Sequence, residues 1–197
     1  MVGQLKLGDY HPAMELDPKS LEIVCFPDPI LRKVAKPIEQ ITDHVHAVAM
    51  RMLELMHEAP GVGLAAPQVG LPWRLFVANP TREEGQDSVF INPVLTNPSS
   101  KMAEVEEGCL SLPQVTANIR RPAAISIETL NLKGQTVQHH SEELAARVWQ
   151  HENDHLDGVL ILDRMSPIDK LANRSIIREL KRIATNRSGS SLRSRIP

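Results

Sequence analysis

The chain has 197 residues, 42% hydrophobic and 23% charged, the make-up of a soluble globular domain long enough to bury its own core. Twenty-two basic against 24 acidic residues leave a net charge of −2, and aromatics amount to 3%, which excludes a nucleic-acid surface built on bulk charge or base stacking. The longest apolar runs, of four residues, such as Val159-Leu160-Ile161-Leu162, fall far short of the roughly 18 residues of a membrane-spanning helix.

Residues 1–21 are polar and aperiodic and read as an N-terminal arm. They lack the apolar core of a secretory signal, and Asp9, Glu15 and Asp17 argue against a transit peptide, so the cytoplasm is the expected compartment. Residues 22–26 read as a short strand before the turn Pro27-Asp28-Pro29. Cys25, in that strand, reads as a small buried hydrophobe. Two cysteines cannot build a disulfide framework. Ile38, Ile41, Val45, Val48, Met52, Leu55 and Met56 recur at steps of three and four and predict a helix over 38–57, stopped by Pro60 and Gly61. Residues 61–70 read as a small-residue loop whose glycines permit close backbone approach. Strands are predicted at 74–78, 89–92, 102–106, 124–130 and 135–139, the last two joined by a Lys133-Gly134 turn. Ser141 offers an N-cap for a helix to about Asp157, closed by Gly158. Ser166-Pro167-Ile168-Asp169 opens a C-terminal helix to about Ile183. The Ser/Arg-rich stretch 184–197 reads as a disordered basic tail. Strands in a run followed by helices indicate an α+β fold, with one domain over 22–183.

The strongest chemical signal is Gln150-His151-Glu152-Asn153-Asp154-His155, an H-E-x-x-H pattern on a predicted helix. Residues four apart share a helical face, so both imidazoles can reach one ion while Glu152 reaches a water beside it. Leu144, Val148, His151 and His155 form the inward stripe, so the rings point to the core, where a polar ring needs a partner. The pattern also arises by chance, with two satisfied core histidines. A catalytic site needs a third ligand. Ile161 stands where a metzincin carries histidine. Glu179 on the last predicted helix is one candidate. Cys109, in Glu107-Gly108-Cys109-Leu110-Ser111, is the other. The third segment, Gly61-Val62-Gly63-Leu64-Ala65-Ala66-Pro67-Gln68, is weak alone and is not a phosphate loop.

Together the three segments resemble the peptide deformylase family, whose motifs G-x-G-x-A-A-x-Q, E-G-C-L-S and Q-H-E-x-D-H-x-x-G all occur in order, and Phe26-Pro27-Asp28-Pro29-Ile30-Leu31-Arg32 resembles its usual beginning. The resemblance implies antiparallel strands around a central metal-binding H-E-x-x-H helix, with a C-terminal helix. It implies metal ligands Cys109, His151 and His155 with water in the fourth position, Glu152 as general acid/base, and Gln68 with the Leu110 N–H as oxyanion donors. The implied reaction removes formate from N-formyl-methionyl ends of new polypeptides. One divalent ion is implied, Fe²⁺ in the cell, with Zn²⁺, Ni²⁺ or Co²⁺ as substitutes; a thiolate disfavours Mg²⁺ and Ca²⁺. Val62, Val105, Leu144 and Val148 would line a methionine slot near Glu107, and backbone groups of Val62, Gly63 and Gly108 would pair with the peptide. Arg147 departs from the family by placing a cation beside that slot. Asp154 is expected to pair with Arg121. The basic end (Lys181, Arg182, Arg187, Arg193, Arg195) reads as a solvated tail or as a contact with the ribosome near its exit tunnel. Two other readings stay open: a zincin endopeptidase using Glu179, and a non-catalytic ribosome- or peptide-binding module with a structural metal.

Overall fold

The computed structural model describes residues 17–193, with side chains to residue 186; most of the expected arm 1–21 lies outside it. In chain order the elements are helix α1 (Asp43–Glu58), strands β1 (Gly63–Ala65), β2 (Leu75–Ala78), β3 (Ser88–Thr96), β4 (Met102–Gly108), β5 (Thr116–Pro122), β6 (Ala124–Leu130) and β7 (Thr136–Glu142), then helices α2 (Glu143–Leu156), α3 (Ile161–Arg164), α4 (Pro167–Ala172) and α5 (Arg174–Arg193).

Helix α1 forms because Val45, Val48, Ala49, Met52, Leu53, Leu55 and Met56 bury one stripe against β1 and β2. Each large side chain so buried contributes about 1.5–3 kcal/mol before conformational entropy is counted. The helix starts at Asp43 rather than at 38, because the Thr42 side chain accepts the Val45 N–H as N-cap. Ile38 and Ile41 pack on the same cluster from the extended lead-in, so the apolar spacing outruns the helix.

All strand pairs are antiparallel. One sheet of five strands has the order β1-β2-β3-β6-β7, and β4 and β5 form a second, two-stranded sheet. Helix α2 packs against β1, β2, β3, β6 and β7 and also touches β5. The fold is thus α+β, with its strands disposed around a central helix. Among the described residues β1 is an edge of the larger sheet and β4 pairs only with β5.

Four local expectations are corrected. Residues 22–26 form no strand, bonding singly through Val24 N to Gln68 O and Phe26 N to Ser111 O, and Cys25 is exposed rather than buried. The stretch 61–70 is not a plain loop: it holds β1 and a 3₁₀ turn over Ala66–Val69, ended by Gly70 at φ 82°. Ser141 does not cap α2, because β7 continues to Glu142 and the helix begins at the next residue, Glu143, with φ 54°. The C-terminal helix breaks at Asn173, whose side chain donates to Thr116 O and Asp169 O, and α5 then runs to Arg193, into the stretch expected to be disordered. Strand β5 escaped the sequence reading because its buried positions are Ala117, Ile119 and Arg121, an alternation broken by a charge.

Gly158 closes α2 as expected. Its φ is +71°, and a Cβ there would lie 2.7 Å from Arg32 O, so no other residue fits without displacing the chain.

Candidate active site

Three elements converge. Cys109 follows the last residue of β4, and the turn there is closed by Leu112 N to Cys109 O at 2.9 Å. His151 and His155 project from α2, their rings 5.0 Å apart and edge-on at 73°. Gln68 sits in the 3₁₀ turn after β1, where its Oε1 accepts the Ala65 N–H at 2.8 Å. Ligand atoms of Cys109, His151 and His155 lie within 4.8 Å of one another, and Cys109 Sγ is 3.3 Å from His155 Nε2. Glu179 stands elsewhere, on exposed α5, paired with Arg182. The rival ligand set is therefore not assembled.

The surroundings fit a cation of intermediate softness. A thiol and two imidazoles make a donor set suited to Zn²⁺ or Fe²⁺. Glu107 holds His151 through Nδ1 at 3.0 Å, which leaves Nε2 for a ligand. Burial pushes His155 well below the usual imidazole range, toward the neutral form that can ligate. For His151, burial acts downward, but hydrogen bonds with Cys109 and Glu107 prevail and raise it well above that range. Glu152 is 4% exposed, and its Oε2 is sealed with no hydrogen-bond partner in the protein. An orphaned buried carboxylate oxygen beside three converging donors is what a site made for an ion and a water presents. Burial raises Glu152 to about 7, against the opposing pull of His151 and Arg121.

A buried ionic network braces these groups. Glu107 accepts Arg121 Nε and Nη2 at 2.7 and 2.9 Å and Arg147 Nη1 at 2.6 Å. Asp154 accepts Arg121 Nη1 at 2.8 Å, as expected, and also Arg164. Burial alone would raise Glu107, but the hydrogen bonds from His151 and Arg121 hold it far below the usual carboxylate range. Arg164 carried no signal in the sequence beyond its charge.

A cavity of about 370 Å³ opens at the centre. Val62, Gly63, Gln68, Glu107, Gly108, Cys109, Leu110, Leu144, Val148, His151 and Glu152 line it, as does Arg147. Val105 does not; it is 49% exposed on β4, and its neighbour Glu106 lines the wall instead. Pro60, Gly61 and Arg82 complete the mouth; the sequence reading did not single out Arg82, whose placement depends on a non-local approach. Gln68 Nε2 lies 3.3 Å from Ser111 Oγ and 3.6 Å from Cys109 Sγ. Among the described residues the Leu110 N–H donates to no protein acceptor.

The family model for polypeptide deformylase matches residues 20–171. The peptide deformylase of Rhizobium meliloti (strain 1021) is 42% identical over 172 residues, covering 86% of this chain and 97% of that protein. The crystal structure of peptide deformylase from Plasmodium falciparum superposes with a TM-score of 0.81 at 34% identity, covering 84% of this chain and 98% of that one. That of Thermotoga maritima superposes with a TM-score of 0.71 at 42% identity, covering 75% and 98%.

Proposed function

The chain belongs to the peptide deformylase family, metalloenzymes that remove the N-formyl group from nascent polypeptides, and from that premise we propose how its residues divide the work. Cys109, His151 and His155 hold the metal. We assign Fe²⁺ in the cell, with Zn²⁺, Ni²⁺ or Co²⁺ able to replace it, on the resemblance to the family; the softness of the thiolate by itself favours these ions over Mg²⁺ and Ca²⁺. When bound, such a cation acidifies water and polarises a carbonyl.

Glu152 takes the proton of the attacking water and delivers it to the departing amine. Burial pushes this carboxyl upward, the direction that suits a group which must both take and return a proton. Gln68 Nε2 and the Leu110 N–H donate to the formyl oxygen as it gains negative charge, each such donor being worth roughly 3–4 kcal/mol in comparable sites. The peptide backbone adds as a strand in the gap between edge strands β1 and β4, using Val62, Gly63 and Gly108. The methionine side chain occupies the slot of Val62, Leu144 and Val148, near Glu107. Val105 lies outside the cavity wall and serves at most its rim.

The observation that carries this reading is the convergence of three donor atoms beside the orphaned Glu152 carboxylate. The test is formate release from an N-formyl-Met tripeptide by enzyme purified without oxygen. Activity should track metal content and vanish in Glu152→Gln. Formate release by that variant at the wild-type rate would overturn it.

No helix among the described residues is long and apolar enough to cross a membrane. We place the enzyme in the cytoplasm, where translation presents this substrate. We also assign ribosome docking to α5, which exposes Arg174, Arg178, Lys181 and Arg182.

A further inference from the structure

Leu144, Arg147, Val148 and His151 stand at offsets 0, 3, 4 and 7 along α2, one face of the helix, and all four line the cavity. Two are apolar and one is a metal-ligand candidate, but Arg147 fits neither description. Its side chain is 9% exposed and firmly held. Nη1 donates to Glu107 Oε1 at 2.6 Å and to Ile119 O at 2.9 Å, and Nη2 donates to Ala103 O at 2.9 Å. These bonds use three of the five guanidinium donors. Among the described residues Nε has no partner, and it is not one of the sealed, unpartnered atoms, so it keeps some exposure in a side chain that lines the cavity. Glu107 cannot cancel this charge alone, because it also accepts both Nε and Nη2 of Arg121. The slot walled by Val62, Leu144 and Val148 thus has beside it a fixed cation with donors to spare. A site that offers a hydrogen bond rejects the isostere that cannot accept it.

Resting on the deformylase reading, we propose that Arg147 is a specificity-determining residue. It makes the side-chain slot favour a substrate whose first side chain carries a hydrogen-bond acceptor near its tip. Methionine is preferred to the hydrocarbon of equal length, and methionine sulfoxide, a stronger acceptor, is tolerated. Because a thioether accepts weakly, the preference for methionine is modest and that for the sulfoxide larger.

The test compares kcat/KM for three N-formyl tripeptides that begin with Met, norleucine or Met sulfoxide and are otherwise identical. Wild-type enzyme should favour Met over norleucine about fivefold, a weak thioether acceptor being offset by a charged donor. In Arg147→Met this ratio should fall to within about twofold, and turnover of the sulfoxide relative to Met should drop about tenfold. Arg147→Lys, which keeps a donor, should recover part of both. Ratios unchanged in Arg147→Met would overturn the proposal. Should that variant fail to fold, equal kcat/KM for Met and norleucine in wild type would overturn it as well. Failure of metal-loaded wild type to deformylate any of the three peptides refutes instead the deformylase reading, and this inference with it.

Discussion

A methyl group placed on Gly63 would lie 2.4 Å from Oε1 of Glu152. The backbone of β1 is thus packed closely against the carboxylate end of Glu152 on α2, which has no room for a Cβ without moving. Gly63→Ala should therefore displace the carboxylate. We expect kcat to fall about a hundredfold, the lower bound for losing a positioned acid/base, with metal content unchanged from wild type. Full activity in Gly63→Ala would show that this contact does not fix the Glu152 position.

Cys109→Ala should abolish both metal retention and formate release, since it removes the sulfur 3.3 Å from His155 Nε2. Glu179→Ala should alter neither, because Glu179 pairs with Arg182 on the surface of α5. Metal analysis of both variants alongside wild type separates the two ligand sets.

Arg121 spans Glu107 and Asp154 with a side chain 3% exposed. Breaking a buried pair by removing one partner costs about 3–5 kcal/mol, so Arg121→Ala should lose stability in that range by urea denaturation. Asp154→Asn should lose less, because the amide oxygen still accepts. The charge exchange Asp154→Arg with Arg121→Asp should not rescue folding. The introduced carboxylate would face Glu107 and the introduced guanidinium would face Arg164, both new repulsions. Rescue by the exchange would contradict the shared network.

Asp163 pairs with Arg32 and accepts the Leu160 N–H at 2.8 Å. Burial alone would raise it, but the Arg32 hydrogen bond prevails and lowers it from 3.8. A folded value below the unfolded one gives stability that is complete above about pH 4–5 and lost as pH falls through the folded value. The urea-midpoint difference between wild type and Asp163→Asn should hold from about pH 7 to about pH 5 and shrink below about pH 4. A difference that widens as pH falls would reverse the sign of the argument.

The α5 surface is testable by salt and charge. Arg174→Glu with Arg178→Glu should weaken cosedimentation with ribosomes without changing tripeptide turnover, and added salt should weaken wild type likewise. Equal retention of both proteins would remove α5 as the docking element.

Much of the site was legible because its chemistry resides in residue types. Cys109, His151, His155 and Glu152 were named from two short motifs, and helical spacing alone placed the histidines together. What held them in place was harder to read. Strand β5 was missed because Arg121 occupies an inward position that alternation reserves for apolar residues. Arg164 joins Asp154 only through the fold. Asn173 breaks the C-terminal helix through a bond to Thr116 O, 57 positions away. Cys25 was assigned by the usual habit of its residue type, and local context placed it on the surface. Val105 lies on the right strand, yet Glu106 faces the cavity. Arg121, Arg164 and Asn173 act through long-range contacts that local pattern does not encode, and Val105, although it shares a strand face with Glu107, falls outside the cavity wall.

Strand β7 passes into α2 between Glu142 and Glu143 with no intervening residue. A helix advances about 100° per residue, so one amino acid inserted at this junction would swing both imidazoles roughly a quarter-turn away from the sulfur. Chain length here is thus a phase setting: the strand acts as a fixed shaft, and the count of residues from it determines the bearing of the rings. Loss of a single residue at the same junction, with every ligand still in the chain, would disarm the catalyst as thoroughly as removing one of them.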